Sequence, residues 1–351
     1  MTTESTPATI RPASPQELNE WDSIVFGFPN ARVFHTRAWI RSIEGFTNAR
    51  GVYLVYEKHG RIVACFPGLI SHYGPLRVFG SPREGWQSGS MGPAFDPQRV
   101  STEEIFSLLL PYLRQRFGIS LVELMCRGLD PEPMRRLGFV DEGVPTYVAD
   151  LASSPDEALR KLGQKTRNAM RKAVKRGLEA RVGLTPDFVD RYFEQIALVF
   201  NGHGVALSFK RRRVDQLVER LRETEFLLPV SVYLEDKETC VATGIFLVAN
   251  RELFLWGWAH RHEYGSYCPV ELLTWTAMVK AIGLGCRSFD LFGGGKAKEK
   301  YGAVMDYRIV RWMYSPMPGL IACRGVAKRI FRRWQRVKGG LSRTSITTTA
   351  Q

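Results

Sequence analysis

The sequence predicts an α/β fold built as a tandem duplication of one unit of about 150 residues. Two observations predict it. The chain has 351 residues, 44% hydrophobic and 24% charged, which is enough apolar material for two cores. One order of elements also reads twice along it: helices, an antiparallel run of strands, a helix and a last strand.

In the first half, "ATIRPAS" reads as a short strand, and Ser14-Pro15 opens a helix through "PQELNEWDSIV", with proline just inside its start. "HTRAWIRSIEGF" reads as a second helix. "RGVYLVYEKHGRIVACFPGLIS" reads as a hairpin turning at Lys58-His59-Gly60. A loop rich in Gly, Pro and Ser over 80–97 leads to the helix "TEEIFSLLLPYLRQRFG" and the strand "SLVELM". In the second half the spacing predicts helices over 155–178 and 186–200, with "LVERL" ending a third. "PVSVYLEDKETCVATGIFLVANRELFLWGWAH" predicts three strands turning at Asp236-Lys237 and Asn250-Arg251. The helix "PVELLTWTAMVKAIGLG" and the strand "SFDLF" complete the repeat. The predicted divisions are 1–150, 151–318 and a basic appendage over 319–351.

The net charge is +14 and the pI about 9.7, which points to anionic partners: nucleic acid, anionic lipid or phosphorylated substrates. Residues 159–181 carry nine basic residues against Glu179 alone. After Asp306 no acidic residue follows, so Arg308, Arg311 and the later basic residues read as unopposed. The six cysteines form no C-x-x-C pair and no His/Cys cluster, which predicts free thiols and no structural zinc. The N-terminal stretch has no apolar signal region, and no run approaches the ~18 apolar residues of a spanning helix. A cytoplasmic location is expected. In the appendage, Val326, Ile330, Trp334, Val337 and Leu341 form one helical stripe among basic residues. That composition predicts docking of 319–341 on an anionic membrane surface, the inner membrane face. Packing on the protein body and contact with tRNA are the alternatives.

The stretch "FDLFGGGKAKEKYGA" (289–303) raises the question of a phosphate-binding loop. A P-loop needs G-x-x-x-x-G-K-[ST]. With its Gly-Lys on Gly295-Lys296, Asp290 stands where the first glycine belongs and Ala297 where the metal-binding hydroxyl belongs. No G-x-G-x-x-G opens a helix here either. What remains is a glycine-rich turn leaving a sheet, with lysines after it.

That stretch, with the helix "PVELLTWTAMVKAIGLG" before it, resembles the C-terminal signature of the Fem-like aminoacyl- and acyltransferases. "FHTRAWIRSI", "SMGPAFDP" and "KTRNAMRKAVKRGLEAR" resemble three further elements of the family, in the family's order. The resemblance covers most of 8–315. It implies two GNAT-like domains, with mixed, largely antiparallel sheets flanked by helices. It also implies amide formation: an activated acyl or aminoacyl group passes to an amine, on an envelope or saccharide precursor, phosphorylated or lipid-linked.

Donor and site residues follow from that resemblance. Acetyl-CoA users of the fold cradle pyrophosphate with [QR]-x-x-G-x-[GA] at a helix N-terminus. Here the stretch is "HRHEYGSYCP", which keeps Gly265 and adds the bulk of Tyr267. Acyl-CoA and aminoacyl-tRNA both stay open as donors, the positive charge fitting tRNA; no tightly bound cofactor is expected. Lys298 holds the place of the family's motif lysine and is expected to polarise the reacting carbonyl, with Lys296 and Lys300 as neighbours that a shift in turn length would substitute. Asp290, at the strand end, is expected to orient the acceptor, or to serve as a turn carboxylate. Asp96 carries the same pair of readings. Lys165, Arg167, Arg171 and Lys172 are expected to grip substrate phosphates, or to form a solvated face. His260 and His262 flank the donor stretch. Trp256, Trp258 and Trp275 read first as core. The alternative function is a catalytically inactive basic module that binds RNA or an anionic envelope precursor.

Overall fold

The computed structural model describes residues 8–202, 207–326, 328 and 329. The chain forms two compact units. The first holds the chain to Thr146 and takes it up again over Asp306–Ile321; the second holds most of Tyr147–Met305.

The first unit contains β1 (Thr9–Pro12), α1 (Pro15–Asn19), α2 (Trp21–Phe26), α3 (Arg37–Glu44), β2 (Arg50–Lys58), β3 (Arg61–Tyr73), β4 (Leu76–Ser81), β5 (Ala94–Phe95), α4 (Thr102–Phe117), β6 (Leu121–Cys126), α5 (Pro131–Arg136) and β7 (Val140–Gly143). Local chemistry sets these boundaries. Ser14 and Glu17 form a capping box at α1, as Ser101 and Glu104 do at α4. Thr36 Oγ1 accepts the Trp39 amide at the start of α3. The helix expected over "PQELNEWDSIV" is two helices meeting at Glu20.

β8 (Thr146–Asp150) ends the first half of the chain, and the second half contains α6 (Pro155–Lys161), α7 (Gln164–Lys175), β9 (Glu179–Val182), α8 (Phe188–Gly202), α9 (Arg211–Leu221), β10 (Leu227–Tyr233), β11 (Cys240–Ala249), β12 (Glu252–His260), α10 (Pro269–Gly283), β13 (Ser288–Asp290) and β14 (Val304–Asp306); β15 (Val310–Tyr314) follows. The three strands β10, β11 and β12 form the expected meander. The helix expected over 155–178 is broken. Leu162 takes an extended conformation and is buried, and α7 restarts at Gln164.

The two sheets share one plan. The first runs β1-β2-β3-β4-β6-β15-β7, with β5 beside β3; the second, read from its far edge, runs β9-β10-β11-β12-β13-β8-β14. In each, the sixth place goes to a strand from the neighbouring half of the chain: β15 beside β6, and β8 beside β13, both antiparallel. The expected division at 318 is corrected accordingly, because 306–318 returns to the first unit. The physical cause lies in β15. Trp312 is fully buried in the first core, against the Phe106 and Phe139 cluster. Beside it, Arg311 faces the fully buried carboxylate of Glu123 (3.4 Å) together with Glu142 (3.2 Å) and Glu84 (3.7 Å). A buried carboxylate needs a cation close by. Arg308 likewise pairs with Asp306 at 2.8 Å. The reading of these arginines as unopposed is therefore corrected: their acids precede them in sequence.

Residues 320–326 are helical. The stripe residues Ile330, Trp334, Val337 and Leu341 lie outside the described residues. Among the described residues no helix is long and apolar enough to cross a membrane.

Candidate active site

The second sheet opens between two of its parallel strands. β12 pairs with β13 only over Glu252↔Ser288, Leu253↔Phe289 and Phe254↔Asp290. Past that point β12 runs on to His260, while the other chain stays with β8, the Leu291 amide donating to the Tyr147 carbonyl at 2.8 Å. The register of β12 also slips by one residue: Phe246 faces Leu255 and Ile245 faces Gly257, so Trp256 bulges. Gly257 is required there, since a Cβ would lie 2.2 Å from the Tyr192 hydroxyl oxygen. Trp256 packs against Tyr192 and Phe209, with the buried Arg213 guanidinium 5.5 Å from its ring. Burial lowers the pKa of Arg213 to about 9.

The glycine-lysine loop leaves β13 at this opening. Phe292, Gly293 and Gly295 all take positive φ (51°, 71° and 122°), which explains the glycines sterically. Asp290 is fully buried, and its Oδ1 accepts the Phe292 amide at 3.0 Å. Lys298, in the 3-10 turn Lys296–Tyr301, reaches back over the loop. Its ammonium donates to the carbonyls of Phe292, Gly293 (3.0 Å) and Gly294 (3.1 Å). Burial lowers the Lys298 pKa from its ordinary value, and the nearby Asp290 carboxylate opposes that shift. Lys300 pairs with Glu271 on α10 at 2.7 Å, and its backbone carbonyl accepts the Thr166 hydroxyl of α7 at 2.9 Å. Two motifs far apart in sequence, "KTR" and "KAKEKYG", are thereby joined. Tyr301 is buried, its ring 5.9 Å from that of Trp258.

Residues 160–301 match the acetyltransferase (GNAT) domain. Among solved structures, FemX superposes with a TM-score of 0.71 at 13% identity, covering 87% of this chain and 97% of that one. The fold is a tandem duplication of GNAT-like domains, similar to that of FemX. L-PGS from Bacillus licheniformis superposes at 0.56 and 12% identity, with 91% of this chain and 97% of that one covered. A tandem GNAT protein from the clavulanic acid biosynthesis pathway gives 0.56 at 10% identity, with coverages of 89% and 99%. No curated protein sequence matches the chain.

In the GNAT-like second unit, the stretch expected to meet a donor diphosphate is wound into a short turn. His262–Tyr267 form a 3-10 turn whose geometry uses backbone donors internally: Tyr264 N–H reaches Arg261 O (3.1 Å) and Cys268 N–H reaches Gly265 O (3.1 Å). The first turn of α10 carries Glu271, a carboxylate where an open cradle would present amides to an anion. Arg176, at the C-cap of α7, stacks 4.5 Å from the Tyr267 ring and donates to Ser266 Oγ at 3.4 Å. Sequence reasoning passed over Arg176 and Thr166. Both sit in a quoted motif, but only the fold gives them partners.

The remaining predicted residues divide. His260 is half-buried at the end of β12, 6.0 Å from the His262 ring; burial, then His262, lowers its pKa and favours the neutral form. Arg167 donates to the carbonyls of Leu162 and Arg160 (3.2 Å), closing the end of α6, so its guanidinium serves the helix break. Arg171 reaches Asn168 at 3.3 Å, while Lys165 and Lys172 are exposed on α7. Lys296 is exposed as well. Asp96 belongs to the first unit, where its carboxylate accepts the Gln98 amide (3.0 Å) and pairs with Arg99 (3.3 Å), as a turn aspartate does. Trp256 is core, and Trp258 and Trp275 pack against the second core.

Proposed function

We propose that this protein is an acyltransferase that forms an amide, with its reaction site at the opening of the second sheet. The observation that carries this reading is the divergence of β12 from β13 after Phe254↔Asp290, with the bulge at Trp256 on one side and the Lys298 loop on the other. Such an opening exposes backbone donors and acceptors of β12 to an extended ligand, as an unpaired strand edge does. In the reaction a neutral amine attacks the donor carbonyl and forms a tetrahedral oxyanion. The intermediate then collapses, expelling the carrier's oxygen or sulfur and losing the amine proton. Lys298 supplies positive charge for the oxyanion by exchanging one of its three loop carbonyls for the substrate oxygen. Asp290 fixes the turn that holds the lysine. His260, neutral near pH 7, is the candidate to take the amine proton.

The 3-10 turn His262–Tyr267, with two of its backbone donors used internally, supports an aminoacyl donor over a CoA thioester held by its pyrophosphate. The likeness to FemX and L-PGS supports the same choice, and the Fem-like resemblance supports an amine on an envelope precursor as acceptor. The test supplies the purified protein with aminoacyl-tRNA or acyl-CoA and an amine-bearing precursor, and follows amide product by mass spectrometry. Amide formation that depends on Lys298 upholds the reading. Equal stabilisation by charged and uncharged tRNA, without product from any donor, would replace it with an RNA-binding module.

A further inference from the structure

The first unit carries a cavity of about 600 Å³ where β1 ends and β2 runs on past it. β1 pairs with β2 down to Leu54 and the Ala13 amide reaches the Tyr53 carbonyl at 2.9 Å just past it, so the first residues of β2, Arg50 to Val52, run on beyond β1 and line the cavity with the end of α4. The floor is apolar: Val52 and Ile70 from the sheet and Phe117 from α4. The rim is basic: Arg50, Arg77, Arg116 and His72 line it, and no carboxylate does. Glu44, the last residue of α3, has Oε1 engaged by the Gly51 amide at 2.6 Å. Arg77 is fixed, donating to the Phe117 carbonyl at 2.8 Å, where it caps the last turn of α4. The side chains of Arg50 and Arg116 are exposed and make no ion pair or hydrogen bond among the described residues.

We propose that this cavity binds a phosphate-bearing ligand with an apolar arm. Guanidinium groups recognise phosphate oxygens in a planar, two-pronged geometry, and three arginines line this one space, which is large enough for a small molecule. The arm lies on Val52, Ile70 and Phe117. This assignment rests on the first unit alone and is independent of the acyl-transfer reading. The ligand is either a free amphiphile or a lipid headgroup with part of its chain.

The experiment uses the full chain and two soluble probes, methyl phosphate and hexyl phosphate, read by calorimetry. Hexyl phosphate is expected to bind roughly tenfold or more tightly than methyl phosphate, because its methylenes are buried. The double variant Arg50→Glu/Arg116→Glu is expected to weaken hexyl phosphate by roughly tenfold or more, the loss of one charge-assisted contact at least. A charge-matched control, Arg61→Glu/Arg114→Glu, changes exposed arginines outside the cavity and is expected to keep wild-type binding. Flotation with phosphatidylglycerol vesicles against phosphatidylcholine vesicles separates the two sources. Loss of flotation in the cavity variant alone assigns a membrane lipid; unchanged flotation with lost hexyl phosphate assigns a free ligand. Equal binding of the two alkyl phosphates, or an equal loss in the control, overturns the proposal. Wild-type affinity in a cavity variant of unchanged melting temperature does so too.

Discussion

The two units use one strand order and differ at one joint. In the second, β12 outruns β13 and the space beside it stays open. In the first, the equivalent parallel pair, β4 and β6, stays in register to Ser81↔Leu124, and Ser81 is the last residue of β4. The chain then folds back and seals the joint. The Met91 amide takes the Met125 carbonyl at 2.7 Å, just past the last pair, and the Gly92 amide takes Ser81 Oγ at 3.0 Å. Trp86 lies over Gly80, where a Cβ would fall 2.8 Å from the indole. One architecture therefore gives a reaction site or a packed core, depending on whether one strand is longer than its neighbour and whether an aromatic side chain fills the gap. The first unit spends that joint on stability, and the second leaves it to a ligand.

The largest expected effect tests the seal. Trp86→Ala should destabilise the first unit by about 3–5 kcal/mol, as removal of a buried aromatic does, and should leave turnover per folded molecule unchanged. Chemical denaturation together with a rate assay checks both halves of the statement. A loss of turnover at full folding would show that the sealed joint takes part in the chemistry.

The matching change in the open unit is Lys298→Ala. Turnover is expected to fall roughly 10²–10³-fold, the usual consequence of removing one oxyanion donor. Single-turnover kinetics decides it. A fall in thermal stability with an unchanged rate would mean that Lys298 only latches the glycine turn.

Acid should act first on the first unit. His35 is fully buried there, its Nδ1 accepting the Arg32 amide at 3.0 Å. Burial pushes its pKa from 6.5 down to about 4. Because the folded value lies below the unfolded one, the unfolded chain takes up the proton first. The stability present above pH 6.5 is therefore lost as the pH falls from 6.5 towards 4, by roughly 3 kcal/mol in all. His35→Asn keeps an acceptor for the Arg32 amide and cannot titrate, so it should flatten that limb. Hydrogen exchange at Leu54 and Leu255, one core residue in each unit, reads the asymmetry.

The smallest effect concerns the joining of the two second-unit motifs. Thr166→Val removes the hydrogen bond to the Lys300 carbonyl and should cost about 0.5–1.5 kcal/mol. A larger loss of activity than of stability would mark this bond as what sets the loop against α7.

Much of the fold was legible because it is local. The helix start at Ser14-Pro15, the turns at Lys58-His59-Gly60 and Asn250-Arg251, and the consecutive strands β10, β11 and β12 all involve residues close in sequence. The glycine turn of 293–295 was legible for the same reason: positive φ demands glycine wherever the chain goes next. The break between α6 and α7 was not, because helical spacing continues through Leu162 and only its burial in the core pulls the backbone out of the helix. Lys298 was found as a residue, yet its three carbonyl partners were invisible, as was the use of Arg167 on the carbonyls that end α6. A side chain's type is written in the sequence, but which donor or acceptor claims it depends on distances that folding creates.

The sequence by itself determined the class, the repetition and the motif that carries the lysine. Only the tertiary structure decided that β15 returns to the first sheet and β8 joins the second. Pairing between residues as distant in sequence as Ser288 and Asp150, or Tyr314 and Val122, has no local signal. For β15 it is selected by what the strand brings: Trp312 fills a core, and Arg311 answers a carboxylate at Glu123 that would otherwise be buried without a cation. The same holds for the site. A run rich in apolar and aromatic residues predicts a strand over 252–260, whereas the opening beside it exists because β13 stops pairing with β12 at Asp290 while its chain stays bonded to β8 through the Leu291 amide.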